Sequence, residues 1–425
     1  MTQLLDDEEY HCRSKNGFPG VFSRDRKLTF KRLIVFIARG IRSGVQRELD
    51  SFYREVVGSE FNIRAITKGA FTQARAKLNH GAFIELNESV NHTFYSEAPY
   101  LVWHNMRLLS VDGTRLVLPK HKSVAAEFGE HGFGPNADSE RSLALGSLLY
   151  DCLNLLTLDA QLAPYASSER ELLYKHLDKV GRGDLLLLDR GYPSIALLFL
   201  LTAKGVEFCV RMKEDWWLSV KDFKESGEKQ RIVSYTLPKK DKELLKGYPD
   251  VQGKAIRVRL VRVDLGGGGT EVLCTSLLDA EKYTCDDIAE LYHFRWNVEE
   301  GYKLYKARAE LENFSGKTAL AVRQDFFAKV FTMSLCAVLA FPIEERVKKE
   351  SARTGGKHSQ KVNRTNAISM LRNISVALLL KQLVEPAIKA FDLLVEKTTE
   401  IVRPGRKFER KKRTKKLYYM NYKQL

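Results

Sequence analysis

Four consecutive leucines, Leu185 to Leu188, run directly into Asp189-Arg190-Gly191-Tyr192. The run is shorter than a helix, and apolar side chains at successive positions put leucine on both faces of an extended chain. By periodicity alone it is also compatible with a piece of buried helix. Its brevity and the flanking Gly183 and Gly191 favour a strand buried on both sides. Such a strand needs a sheet covered on both faces, which confines the fold to the α/β class.

Leu108-Leu109-Ser110-Val111 is another short apolar run and ends at Asp112-Gly113-Thr114. Leu143 to Pro164 reads as two strands that turn near Cys152 to Asn154. Ser168-x-x-Glu171 is a capping-box pattern, which starts a helix ahead of Leu172, Leu173 and Leu177. A helix through Ser194 to Lys204 then leads into a strand from Val206 to Met212. Three strands, helix, strand, helix, strand is the order of a ribonuclease-H-like α/β core.

Helical regions flank that core. Leu33, Ile34, Phe36, Ile37, Ile41 and Val45 recur at helical spacing, and another helix follows around Phe52 to Val57. Within Ile66 to Leu78, Thr67 is an N-cap and the helix after it offers Thr72, Gln73, Arg75 and Lys77 to solvent. Those side chains suit phosphates and base edges in a small helical DNA-binding module, although a solvated helix face reads the same way. From Lys213 to Thr284 the signals are β: Ile232 to Leu237, Ile256 to Val263 and Val272 to Leu278, the last two joined by a hairpin across Gly266 to Gly269. A long helix starts at Thr284, capped by Thr284-x-x-Asp287, and helices continue to about Glu400 around a polar linker near Ser351 to Ser359. The expected organisation is residues 1–100, a helical DNA-binding region; 101–212, the first part of the core; 213–284, a β insertion; 285–345, the second part of the core; and 346–425, a helical C-terminal region with a basic tail.

The composition narrows the partners. In 425 residues, 69 Lys and Arg stand against 53 Asp and Glu, a net charge of +16, which favours nucleic acid ahead of an anionic membrane surface. The tail concentrates this charge, with Arg410, Lys411, Lys412 and Arg413 inside a run that reads as an extended phosphate-binding arm, or as a solubilising one. The longest apolar stretch, Val330 to Phe341, falls short of a membrane span, and Asp6 to Glu9 stand where a secretory signal would be basic. Six scattered cysteines match neither a zinc site nor a disulfide framework and read as thiols in a reducing cytoplasm.

Two groups of residues carry chemistry. Asp112 and Asp189 each end an apolar strand, with glycine within two residues. A carboxylate there is poorly solvated unless a cation or donor meets it, so two on adjacent strands make a natural divalent-metal site. Taken singly, such an aspartate is more often a turn residue. Tyr292, Arg295, Glu299 and Lys306 lie at offsets 0, 3, 7 and 14 along the predicted helix. At about 100° per residue they fall within roughly 60° of one another, on one narrow stripe. On this reading Glu299 completes an Asp-Asp-Glu ligand set, with Arg295 and Lys306 meeting phosphate oxygens. The alternative is a solvated face on which Glu299 and Lys303 form an ordinary surface pair.

Tyr-x(2)-Arg-x(3)-Glu-x(6)-Lys, met by Tyr292, Arg295, Glu299 and Lys306, resembles the signature of the bacterial insertion-sequence-four family of DDE transposases. Val111 to Thr114 resembles the family's first catalytic block, Leu188 to Tyr192 its second, and Ser168 to Leu172 the polar segment ahead of the second. The resemblance implies cut-and-paste transposition: Mg²⁺-dependent cleavage at transposon ends and strand transfer into target DNA. Asp112, Asp189 and Glu299 are then the catalytic residues and hold two Mg²⁺ ions about 3.5–4 Å apart, with Mn²⁺ able to substitute. Tyr292, Arg295 and Lys306 grip the phosphates beside the scissile bond. In similar enzymes the first 3′-OH attacks the opposite strand to form a hairpin, and relatives stack an extruded base on an aromatic residue of the β insertion. Trp216 or Trp217 suits that place, or a packing role. The implied partners are double-stranded DNA and a second copy of the chain in a synaptic homodimer, with no membrane, in the bacterial cytoplasm at the nucleoid. A two-metal DNA nuclease without strand transfer, or a non-catalytic DNA-binding protein derived from a transposase, are the other readings. The presence of all three acids argues against the latter.

Overall fold

The computed structural model describes residues 2–17, 20–22, 26–133, 139–213, 217–248, 251, 253–265, 269–355 and 358–402. Six helices come first: α1 (Thr2–Asp6), α2 (Glu8–Arg13), α3 (Phe30–Ala38), α4 (Val45–Val57), α5 (Lys68–Arg75) and α6 (Gly81–Glu97). Thr29 and Thr67 cap α3 and α5, each side chain accepting a first-turn backbone N–H. The chain then builds β1 (Arg107–Val117), α7 (Lys122–Phe128), β2 (Glu130–Phe133), β3 (Ser139–Asp151), β4 (Leu156–Pro164), α8 (Glu169–His176), β5 (Asp184–Leu188), α9 (Ile195–Lys204) and β6 (Glu207–Arg211). After these come α10 (Leu218–Ser226), β7 (Gln230–Thr236), β8 (Ala255–Leu265), β9 (Gly269–Thr275), α11 (Cys285–His293), α12 (Trp296–Ala307) and α13 (Ala319–Thr354). Two helices, α14 (Arg364–Leu379) and α15 (Val384–Lys397), and a small pair of strands, β10 (Gln360–Val362) and β11 (Thr399–Ile401), close the described chain.

The fold is mixed α/β. One large sheet has the order β2-β3-β1-β5-β6-β9-β8-β7, with β4 also paired to β3. β1, β5 and β6 are parallel, while β3 runs antiparallel to β1 and β4 antiparallel to β3. The four leucines behave as their pattern predicts. Leu186 and Leu188 join one apolar cluster with Leu197 and Leu201, and Leu185 and Leu187 join another with Ile288 and Leu291. β7 to β9 do not form a sheet of their own: β9 pairs antiparallel with β6 and continues the central sheet.

The two flanking helical regions share one core. Phe36, Phe52 and Phe83 from the N-terminal helices pack in the same cluster as Phe331 of α13, Ile374 of α14 and Phe391 of α15. α13 has the length and apolar composition of a membrane span, yet most of its apolar stretch is buried, and the helix packs against α6, β4, α3 and α15. Its hydrophobicity is that of a central core helix. Four of the six cysteines are buried, and all are free.

Candidate active site

Parallel pairing brings the two aspartates together. Ser110 of β1 lies opposite Leu187 of β5, so two residues further along each chain Asp112 and Asp189 stand side by side where the β1–β5 pairing stops. Asp189 follows the end of β5, but Asp112, expected at a strand end, sits in the middle of β1, which runs on to Val117 because β3 continues to pair with it (Asp112 opposite Leu148). This is the edge where sheets of this kind present their ligands, because the strand ends leave a crevice and unpaired backbone there.

α11 and α12 are fastened to both strand ends by tyrosines. The Tyr292 hydroxyl donates to the Leu188 carbonyl at 3.4 Å, and the Tyr302 hydroxyl donates to the Asp112 carbonyl at 2.7 Å. α12 can lie this close because of Gly301, where a Cβ would come within 3.2 Å of the Tyr150 ring. Glu299, one turn ahead of Tyr302, is thereby directed to the same edge. The predicted single helix is divided here. Phe294, Arg295, Asn297 and Val298 each bond the carbonyl three residues back, a tighter winding between α11 and α12. Tyr292, expected to face phosphate, is consequently buried, and its hydroxyl serves the strand that carries Asp189.

Arg295 is the electrostatic centre. It is only 4% exposed, its guanidinium lies near the rings of Tyr292 and Trp296, and Nη2 donates to Glu299 Oε1 at 2.9 Å. Burial lowers its pKa, but Tyr292, Glu299 and Asp189 outweigh that and raise it overall. Asp112 is pushed up to about 6, chiefly by burial. The Gly113 N–H and Arg295 oppose that rise, whereas Glu299 and Glu169 add to it. Asp189 Oδ1 and Arg295 Nε are buried without a hydrogen-bond partner, Arg211 standing 3.9 Å from Asp189 Oδ1, while the Tyr192 hydroxyl meets the Glu169 carboxylate. Orphaned buried polar atoms are rare in folded proteins, and two at one edge fit a place that a ligand completes.

The donor set fits a hard divalent cation, since all three acids offer oxygen and one of those oxygens is orphaned. Among the described residues no three acid, His or Cys side chains are spaced to cage one ion. Mg²⁺ is typically held by one or two carboxylates, with water and phosphate oxygens filling its other positions, so paired acids suit it.

The other predicted contacts divide. Thr72, Gln73 and Lys77 are exposed, as expected. Arg75 is not: it is 5% exposed, and its guanidinium binds Asp325, Gln324, Ser315 and the Ala321 carbonyl on and beside α13. A long cation on the face of a short helix reads as solvated, but a buried carboxylate from 250 residues away claims it. Lys306 is exposed, with Nζ bonded to the Arg115 carbonyl, and burial of its ammonium end lowers its pKa. Trp217 packs edge-on against Tyr235, so packing is the role its surroundings give it. Trp216, Arg410, Lys411, Lys412 and Arg413 lie outside the described residues.

Sequence reasoning missed several supports. Tyr302 follows Glu299 by three residues, a helical neighbour spacing that could have flagged it. A buried chain of Asp159, His176 and Ser147, with contacts of 2.6 and 3.0 Å, ends 3.4 Å from the Asp112 carbonyl. Ser147 has no exposed surface, so this Ser-His-Asp geometry braces β1 and has no access to a substrate. No local signal links those three positions.

Two aspartates on adjacent parallel strands, with a helix-borne glutamate paired to Arg295, put the chain in the DDE class of proteins. Residues 103–335, which include Asp112, Asp189 and Glu299, match the model of the transposase DDE domain, and the chain belongs to that family. It is similar to the transposase InsG for insertion sequence element IS4 of Escherichia coli (strain K12), at 23% identity over 288 residues. The match covers 67% of this chain and 63% of that relative, so it spans less than two thirds of the relative's length. The insertion-sequence-four resemblance is therefore borne out. Among solved structures, the piggyBac transposase synaptic complex with hairpin DNA is similar over 92% of this chain and 80% of that one, at 12% identity and a TM-score of 0.43. The NurA nuclease from Sulfolobus solfataricus is similar over 58% of this chain and 98% of that one, at 11% identity and a TM-score of 0.22.

Proposed function

We propose that this chain is a DDE transposase that cleaves DNA at the ends of its own element and joins the freed 3′ ends to target DNA. The observation that carries the reading is the convergence of Asp112, Asp189 and Glu299 at one sheet edge beside orphaned atoms of Asp189 and Arg295. On this reading β4-β3-β1-β5-β6 is a ribonuclease-H-like core, residues 213–284 are a β insertion that widens its sheet, and the flanking helices form the DNA-binding regions.

Asp112, Asp189 and Glu299 would hold the two Mg²⁺ ions. When bound, the ions supply positive charge that offsets the charge developing on the scissile phosphate. Arg295, fixed by its aromatic neighbours, has an unpaired Nε–H to offer a phosphate oxygen, and Lys306 adds a cation on the exposed side of α12. Water and a 3′-OH can use the same residues in turn, because each step is an in-line displacement at phosphorus. Joining two ends requires that they be held together, which calls for two copies of the chain. Thr72, Gln73 and Lys77 form an exposed face on and beside α5 for phosphate contact.

The test uses purified protein, labelled DNA bearing the element's ends, and Mg²⁺, with Glu299→Gln in parallel. Nicking at the ends followed by joining to target, both lost in the variant, is the expected result. Cleavage with no joining would replace this reading with that of a nuclease. End-specific binding without cleavage by either protein would make the acids structural.

A further inference from the structure

Helix α8 brings a fourth carboxylate to this edge. Glu169 is its first residue, and the position is fixed by bonds that do not involve its own carboxylate. Ser168 and Glu171 form the reciprocal capping box, and Arg170 donates to the carbonyls of Gly191 at 2.9 Å and Pro193 at 3.2 Å. These contacts tie the start of α8 to the turn that follows Asp189. The Glu169 side chain then lies against Gly113, the neighbour of Asp112. A Cβ at Gly113 would stand 2.7 Å from Glu169 Oε1 and 2.9 Å from its Cδ. The absence of a side chain at position 113 is what lets the carboxylate reach the site.

Tyr192 directs that carboxylate. It is 2% exposed, its hydroxyl donates to Glu169, and it stands in the field of Asp112 and Asp189 as well. Asp189 Oδ1 is buried without a hydrogen-bond donor, an arrangement that the protein alone leaves incomplete. Water molecules around a divalent cation complete it, since they donate to carboxylates. Glu169 is more exposed than either aspartate and faces solvent on that side. As the first residue of α8 it also lies favourably at a helix N-terminus, but that role needs no particular contact with Gly113.

We propose that Glu169 is a positioning residue of the site, oriented by the Tyr192 hydroxyl and accepting hydrogen bonds from the hydration shell of a divalent cation held by Asp112 and Asp189. The proposal rests on the reading of those two aspartates as metal-holding residues.

Mn²⁺ titrated into the full chain, with free Mn²⁺ followed by its paramagnetic resonance signal, tests it without any DNA reaction. Glu169→Gln is expected to weaken Mn²⁺ binding about tenfold, as outer-shell partners of metals do, with the melting temperature unchanged. Gly113→Ala should weaken it comparably by pushing the carboxylate away, and should add nothing in a Glu169→Ala background, where the clash is gone. Glu171→Ala, which removes half of the capping box, should lower the melting temperature and leave Mn²⁺ affinity alone. A Glu169→Gln protein that binds within twofold of the parent overturns the proposal. So do additive effects of Gly113→Ala and Glu169→Ala, or an equal loss of affinity in Glu171→Ala. Asp189→Asn separates the two levels. If it abolishes binding while Glu169→Gln does not weaken it, only the role of Glu169 fails. If it binds Mn²⁺ like the parent, the metal-holding reading fails as well.

Discussion

Two arginines lie at nearly the same depth, Arg75 at 5% and Arg295 at 4% exposure, in surroundings that differ in kind. Arg75 places each of its three guanidinium nitrogens on an acceptor from the α13 side, and the Asp325 carboxylate closes an ion pair at 2.8 Å. Arg295 has a single carboxylate partner, Glu299, and a buried Nε without one. A saturated buried cation is a joint between elements. An unsaturated one, beside an aspartate oxygen that is also unpaired, is held ready for something that arrives later. Depth therefore does not tell these two arginines apart; hydrogen-bond saturation does.

The comparison can be broken first at the acids. Asp189→Asn should reduce DNA-end cleavage by about a thousandfold or more while thermal unfolding stays within about a degree of the parent, because Oδ1 has no hydrogen bond to lose. Urea unfolding tests the structural arm. Arg75→Met should cost roughly 3–5 kcal/mol by leaving Asp325 buried and unpaired, the usual penalty for halving a buried ion pair. If instead it unfolds like the parent and loses DNA binding, the two arginines have been assigned the wrong way round.

Arg295→Lys sharpens the contrast. A lysine keeps the charge but lacks the planar fork, so cleavage should fall by about tenfold to a hundredfold with little change in stability.

Asp112 adds a pH signature. Its folded-state pKa, about 6, lies above the ordinary carboxylate value of about 3.9, so the stability linked to its protonation is fully present below about pH 4. That contribution is lost as pH rises through about 6. Asp112→Asn should therefore be more stable than the parent above that pH, by on the order of 1–2 kcal/mol, and equal to it below about pH 4. Paired melting curves across the range check the sign, and a variant less stable at neutral pH would contradict it.

The smallest effect is expected at Lys77, which is exposed. Lys77→Ala should leave stability unchanged and lower the slope of log affinity for DNA against log salt by about 0.9.

How much of this was legible in the sequence varies by element. The Leu185–Leu188 strand, both capping boxes and the turn near Cys152 to Asn154 followed from local chemistry, which a few adjacent residues decide. Asp112 and Asp189 could be picked out because a carboxylate that ends an apolar run ahead of glycine is conspicuous in the chain itself, although β1 runs on past Asp112 and only Asp189 follows a strand end. The spacing of Tyr292, Arg295, Glu299 and Lys306 singled out the helical part of the site. It did not reveal the tighter winding at Phe294 to Val298, which buries Tyr292 and gives it a positioning contact. That winding answers to the packing of α11 and α12 on two strand ends, and no nearby residue records it.

The sequence by itself determined the mixed α/β class of fold and singled out the three acids and their neighbours as candidates, because periodicity, caps and turns lie within reach of a few residues. Only the tertiary structure decided that Arg75 is a joint and not a DNA contact, that the two helical flanks share one core, and that Glu169 reaches Gly113. These outcomes depend on partners far away in the chain, 250 residues in the case of Asp325. Burial and saturation are properties of the assembled surroundings, and a single stretch of sequence does not contain them.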